Sequence, residues 1–317
     1  MAPKTDMRVQ RIFCPIDLTS KSDEALRYAL TLAGVYEAEL FVFHSLRGSS
    51  VDSVEEGRQQ QALDSIRETV TAMLTGGAMP DWKAIVVHSE NTGDAIVNEA
   101  AERNADLIVM RSRRRPHRAA LLGSTAEQIC RTATCPVLVT HSEERDWVDH
   151  ESQIQLKRVL VAYDFSDFSE FALNYAVSFA QEYQAELHLL HVLPPSMREE
   201  PEISWQPYGQ EGAYHTAARR LQKAVPAEAH LWCNVRHVVS EGQPYREILS
   251  YAENNQIDLI CLGAHGAGFG MRTLFGSNVD RVLRQAPCPV LVARPLKPVT
   301  FIPALPAHHN SKVSAVG

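Results

Sequence analysis

No stretch of this sequence approaches the roughly 20 consecutive apolar residues of a membrane helix. Its first residues, MAPKTDMRVQRIF, are polar and of mixed charge, without the continuous apolar segment of a secretory signal. There is no excess of positive charge either. Lys and Arg total 31 against 38 Asp and Glu, a formal net charge of -7, so nothing global draws the chain to nucleic acid or to an anionic membrane. The six cysteines (Cys14, Cys130, Cys135, Cys233, Cys261, Cys288) contain no Cys-x2-Cys pair, and several lie inside apolar runs such as Leu259-Ile260-Cys261-Leu262. That pattern fits small buried hydrophobes in a reducing cytoplasm better than a disulfide scaffold or a zinc site. Also missing are the Lys and Ser/Thr of a P-loop, a Ser-His-Asp order and any zinc-ligand spacing, so no catalytic residue and no metal ligand can be named. What is present is 317 residues, 45% hydrophobic and 22% charged, enough for two domains with a core each.

The chain repeats itself. Arg11-Ile-Phe-Cys-Pro-Ile-Asp17 recurs as Arg158-Val-Leu-Val-Ala-Tyr-Asp164, and Ala25-Leu-Arg-Tyr-Ala29 as Ala172-Leu-Asn-Tyr-Ala176. Ala38-Glu-Leu-Phe-Val-Phe-His44 recurs as Ala185-Glu-Leu-His-Leu-Leu-His191. Asp106-Leu-Ile-Val-Met110 matches Asp258-Leu-Ile-Cys-Leu262, and Cys135-Pro-Val-Leu-Val139 matches Cys288-Pro-Val-Leu-Val292. Within each half, short apolar runs alternate with segments of helical period. In the first half the strands fall at 11–16, 39–45, 83–88, 106–110 and 136–140. The helices fall at 21–37, 55–75, 93–103 and 120–132. Continuous apolar strands joined by helices predict a parallel sheet covered on both faces. Five strands per half predict two tandem doubly wound α/β domains with right-handed crossovers, over 8–141 and 155–295. Residues 141–156 are polar and acidic and read as a linker. Residues 194–212 hold four prolines and read as a loop, and 296–317 as a disordered tail.

In such a sheet, ligands bind beyond the carboxyl ends of the strands. Asp164 ends the first strand of the second half and Gly263 ends the fourth. The run Gly263-x2-Gly266-x9-Gly276-Ser277 then leads into a helix. Glycines at 263 and 266 let backbone N–H groups come close to a phosphate, and Gly276-Ser277 open a helix whose unbonded N–H groups and positive dipole end favour an anion. Asp164 offers acceptors for a ribose hydroxyl, or alternatively a helix cap. Val192 and Leu262 end neighbouring strands and can flank an adenine ring. His265 falls inside the loop, where a solvent-facing position is expected ahead of the alternatives, contact with a phosphate or a proton-carrying role. His44 and His191 end equivalent strands and read as strand-end packing.

The repeat, Asp164 and the full glycine spacing resemble a tandem universal stress protein over nearly the whole chain. The resemblance implies the adenine-nucleotide α-hydrolase-like fold, binding of ATP (or ADP or AMP), with or without Mg, and pairing of two such domains within one chain or between chains. By position, Asp164 would meet the ribose or adenine edge, Val192 the base and Gly263 the ribose. Gly266, Gly276, Ser277 and the Asn278 backbone would meet the phosphates. The last strands, 136–139 and 289–292, are the candidates for pairing the halves, and a homodimer of such chains is a further option.

The first half departs from this pattern. Arg111 stands at the place of Gly263 and Arg114 at that of Gly266, in a loop one residue shorter, while Asp17 is kept and Ser45 replaces Val192. Side chains there obstruct backbone-mediated phosphate binding, so one nucleotide site per chain is expected. The loop 111–118 reads as a solvated basic segment. Alternatively Arg111 and Arg114 bind an anion through their side chains. Nucleic acid is the weaker reading, because no aromatics are interleaved. Three functions stay open: a nucleotide-binding stress protein acting through conformation or partner binding, a slow ATPase or self-phosphorylating protein, and a module for a lipid, metabolite or protein.

Overall fold

A computed structural model describes residues 9–19, 23–48, 53–74, 80–112, 123–141, 145–149, 153–195, 210–265, 276–293 and 314–315. The chain divides into two compact units, one centred on residues 8–143 and the other on 154–293. No helix among the described residues is long and apolar enough to cross a membrane.

The first unit runs β1 (Arg11–Pro15), α1 (Asp23–Tyr36), β2 (Glu39–Leu46), α2 (Ser53–Met73), β3 (Trp82–His88), α3 (Thr92–Glu102), β4 (Leu107–Arg111), α4 (Ser124–Thr132) and β5 (Val137–Thr140). Its strands lie in the order β3-β2-β1-β4-β5, each pair parallel. The second unit repeats this with β6 (Arg158–Ala162), α5 (Asp167–Tyr183), β7 (Glu186–Leu193), α6 (Gln210–Ala224), β8 (Val235–Glu241), α7 (Pro244–Asn254), β9 (Leu259–Gly263), α8 (Ser277–Gln285) and β10 (Val290–Ala293). The order is β8-β7-β6-β9-β10, again parallel throughout. Each is the doubly wound sheet that the sequence pattern predicts, with the strand order reversing beside β1 and β6.

The apolar runs become strands because both faces of each sheet are covered. All five residues of β9, Leu259 to Gly263, are buried, as are all four of β5 and of β10. Helices α1 and α5 present Ala25, Leu26, Ala29 and Leu32, and Ala172, Leu173, Ala176 and Phe179, to those sheets at helical spacing. Burying each large aliphatic side chain is worth up to about 1.5–3 kcal/mol.

The repeated acid before β4 and β9 has a structural task. Asp106 Oδ2 accepts the backbone N–H groups of Gln10 (2.9 Å) and Arg11 (3.0 Å), and Asp258 Oδ2 accepts those of Lys157 (2.9 Å) and Arg158 (2.8 Å). A carboxylate satisfies two backbone donors at once and ties the start of one strand to its neighbour.

Three segments differ from the sequence expectation. The acidic stretch 141–156 is not simply solvated. Trp147 is fully buried, edge-on against Phe179 of α5 with ring centroids 6.3 Å apart, because one large apolar ring outweighs the polar residues around it. Arg145 Nη1 caps this anchor by donating to the carbonyls of Ile257 (2.9 Å) and Ala252 (3.1 Å). Helix α6 begins at Gln210, inside the stretch read as loop, once the prolines have been passed. In the tail, Ser314–Ala315 forms a short strand, β11, antiparallel to β3 at Ala84 and Lys83, and the rest of the tail lies outside the described residues.

Candidate functional site

The second unit places its sequence-predicted site at the carboxyl ends of β6, β7 and β9. Asp164 follows β6 and fixes the start of α5. Its Oδ1 accepts the backbone N–H of Ser166 (3.1 Å) and the Ser166 hydroxyl (2.5 Å). Ser166 is the N-cap of α5, accepting the N–H of Ser169 at 3.2 Å. Asp164 therefore holds the cap rather than being the cap, a refinement of the capping role that its sequence position suggested. The first unit keeps the device: Asp17 Oδ1 accepts the N–H (3.1 Å) and hydroxyl (2.6 Å) of Thr19.

The residue after each of these acids lies in the left-handed region, Leu18 at φ 54° and Phe165 at φ 63°. Neither is glycine, and such a residue costs about 1–2 kcal/mol. That strain turns the chain sharply away from the strand and leaves the aspartate at the sheet edge. The strand-end histidines support the same turn, with Nδ1 of His44 2.9 Å from the Ile16 carbonyl and Nδ1 of His191 2.8 Å from the Tyr163 carbonyl.

Beyond these strand ends lies a cavity of about 590 Å³. Asp164, Val192, Leu262, Gly263, Gly276, Ser277 and Asn278 all line it. Seven of the eight nucleotide-site residues expected from the sequence thus share one cavity, and the eighth, Gly266, lies outside the described residues. Its size is that of a small-molecule site, and its walls are mainly apolar with a few convergent polar groups, as such sites usually are. The α8 N-terminus opens into it: Gly276 is the N-cap and no side chain caps that end, so the first N–H groups of the helix face a site suited to an anion.

The structure gives Gly263 a reason other than phosphate approach. A Cβ built there would lie 2.6 Å from the carbonyl carbon and 2.7 Å from the Cβ and carbonyl oxygen of Phe168, in the first turn of α5. Glycine is needed so that this helix can pack on β9. Gly276 differs: its φ of -62° suits any residue, and the atoms nearest an added Cβ are Val279 Cγ2 at 3.3 Å, the Ala264 carbonyl oxygen at 3.5 Å and His265 Cα at 3.8 Å.

Sequence reasoning missed Ser169, His191, Pro244 and Ile248, which line the cavity as well. Pro244 and Ile248 lie in the first turns of α7, the helix that follows β8, so the strand-end rule applied to every strand would have pointed to them. The expectation for His265 is corrected. It is buried, edge-on against Phe168 with centroids 4.9 Å apart, and it lines the cavity instead of facing solvent, because the Phe168 ring offers it an apolar wall. Tyr163 also lines the cavity; its hydroxyl donates to Glu170, and burial together with that carboxylate pushes the phenol pKa up.

In the first unit, Arg111 ends β4, paired in register with Thr140, and Arg114 lies outside the described residues. Gly123 caps α4 as Gly276 caps α8, again without a side-chain bond. Among the described residues no group of three or more His, Cys, Asp or Glu side chains is placed to hold a metal ion. All six cysteines are buried thiols, and burial raises the pKa of Cys135 to about 12.

The model of the universal stress protein family matches residues 8–141 and again 155–294. The chain belongs to the universal stress protein family. It carries two universal stress protein domains in tandem, one in each compact unit. A universal stress protein of Mycolicibacterium smegmatis is 26% identical over 301 residues, covering 90% of this chain and 97% of that protein. One from Mycobacterium tuberculosis is 33% identical over 217 residues, covering 66% of this chain and 68% of its own length. Among solved structures, a universal stress protein from Archaeoglobus fulgidus superposes with a TM-score of 0.64 at 24% identity, covering 92% of this chain and 98% of that one, which supports the tandem fold.

Proposed function

We propose that this universal stress protein binds an adenine nucleotide, ATP, ADP or AMP, in its second domain, and that the bound nucleotide biases a conformation or a partner surface in a stress response. The observation that carries the reading is the convergence of Asp164, Val192, Leu262, Gly276, Ser277 and Asn278 on one cavity at the strand ends. The apolar pair Val192 and Leu262 suits a base, Asp164 a ribose hydroxyl and the open end of α8 a phosphate chain. Magnesium is optional to this reading; where it accompanies the nucleotide it would be held through the phosphates. The buried cysteine thiols and the lack of a membrane-crossing helix among the described residues fit a cytoplasmic protein.

Turnover of ATP by the purified protein would favour the slow-ATPase alternative instead; this reading requires no catalytic step. Calorimetric titration of the full chain with ATP, ADP and AMP tests it, together with mass spectrometry of small molecules released on denaturation. Micromolar binding that is abolished by Gly266→Arg, the residue type found in the first half, is the expected result. Absence of binding by all three nucleotides, or unchanged affinity in that variant, overturns the site.

A further inference from the structure

Helices α7 and α8 pack against each other beside the cavity. Pro244 and Ile248 reach the cavity from α7, and Ser277 and Asn278 from α8. Just outside that lining, the seam between the two helices carries Tyr245, Arg246 and Arg281. The Arg281 guanidinium lies 4.6 Å from the Tyr245 ring centroid and that of Arg246 lies 5.7 Å from it. Arg246 Nε also donates to the Tyr245 hydroxyl at 2.9 Å. That bond and the two positive charges lower the phenol pKa, despite some desolvation. The Tyr245 ring braces Arg281 over its face and Arg246 through its hydroxyl, and a guanidinium offers a fork of N–H donors shaped for phosphate oxygens.

Arg281 stands one helical turn beyond Ser277, on the same side of α8. Asp280, next to Arg281 in α8, is bonded to Arg284 at 2.5 Å.

The first domain provides an internal control. Aligned on their helices, Gly93, Asp94 and Gln128 occupy the places of Tyr245, Arg246 and Arg281. There Gln128 Nε2 donates to Asp94 Oδ1 at 2.6 Å, so the same seam is neutral to acidic and would repel a phosphate. The cationic seam is found in the half that keeps the glycines, and not in the half that replaced them with arginines.

Resting on the nucleotide reading above, we propose that Arg246 and Arg281, braced on Tyr245, form an outer phosphate subsite that makes the second domain prefer nucleotides with longer phosphate chains over AMP. The test is calorimetry of the full chain with AMP, ADP and ATP at low salt, on the wild type and on Arg246→Gln/Arg281→Gln. Both arginines are exposed, so the variant is expected to fold and to melt like the wild type. The wild type should bind ATP roughly tenfold or more tightly than AMP, a gain on the order of one charge-assisted hydrogen bond. The double variant should lose that preference while its AMP affinity stays put, and raised salt should erode the preference in the wild type. An ATP-to-AMP ratio that is the same in both proteins, or AMP and ATP weakened alike, overturns the subsite and leaves the nucleotide reading standing. Failure of the wild type to bind any of the three overturns the nucleotide reading itself, and the subsite falls with it.

Discussion

Two glycines of one motif serve different ends, and the difference can be measured. An added methyl at 263 would run into the Phe168 backbone, which cannot move without displacing the first turn of α5. At 276 the one tight contact is a valine methyl at 3.3 Å, and the backbone already has an ordinary φ. Gly263→Ala is therefore expected to lower folding stability by about 1–3 kcal/mol, the usual range for overpacking. Gly276→Ala should change stability by less than about 1 kcal/mol, since the reduced chain entropy of the unfolded state offsets a slightly poorer N-cap. Its effect should instead fall on nucleotide affinity, because the methyl stands at the anion-facing end of α8. Denaturant unfolding and calorimetry on both variants check this; equal stability loss in the two would remove the distinction. The glycine spacing was legible in the sequence as a motif, but the reason for Gly263 was not. It depends on where α5 crosses β9, a contact between residues almost a hundred apart. Burial of His265 was hidden for the same reason, since its wall is Phe168.

At the level of elements, the two domains solve one packing problem in two ways. Where β2 and α3 of the first domain meet, Phe41 lies under the cations Lys83 (5.9 Å) and Arg103 (5.8 Å), each paired to an acid, Glu39 and Glu99 respectively. In the second domain His188 takes the place of Phe41. Its Nδ1 is 2.8 Å from the Tyr251 hydroxyl of α7 and its Nε2 is 3.3 Å from Glu186, which in turn meets Arg236 and, at 3.9 Å, Arg158. Burial lowers the His188 pKa, against the pull of Glu186. A base with a depressed pKa binds fewer protons folded than unfolded. Its contribution is fully present above the ordinary histidine value of 6.5 and is lost as pH falls below it. His237, lowered by burial and by His230, adds the same sign. Stability measured by denaturant is thus expected to decline as pH drops from 7 through 6. The decline should be shallower in His188→Phe, which copies the first domain. An identical pH slope in the two proteins would show that His188 titrates alike folded and unfolded. The helices and strands themselves were readable because a period of 3.6 and continuous apolar runs are local signals. The histidine network and the arginine-tyrosine seam were not, because each needs two elements brought together by the fold.

For the whole molecule, the question is how many ligands one chain holds. The repeat keeps the frame twice: the paired strand-start aspartates Asp106 and Asp258, the turn acids Asp17 and Asp164, and the helix-opening glycines Gly123 and Gly276. The aspartates bond to the backbone of their own domain, so losing any of them destabilises that domain whether or not it binds a ligand. Other positions that would touch a nucleotide make no such backbone bond, and several of them differ between the halves. Val192 faces Ser45 as its counterpart, Gly263 faces Arg111, and the α7–α8 arginines face Asp94 and Gln128. The glycine needed at 263 for close packing of α5 has no equivalent in the first domain, where Arg111 ends β4. Calorimetry of the intact chain should accordingly give one adenine nucleotide per chain rather than two. The single substitution Arg111→Gly should leave that stoichiometry unchanged, because Arg114, the shorter loop, Ser45 and the Asp94–Gln128 pair would still oppose binding. A second equivalent bound by the wild type, or gained by Arg111→Gly alone, would mean that the frame suffices and that the diverged positions matter less than their chemistry suggests.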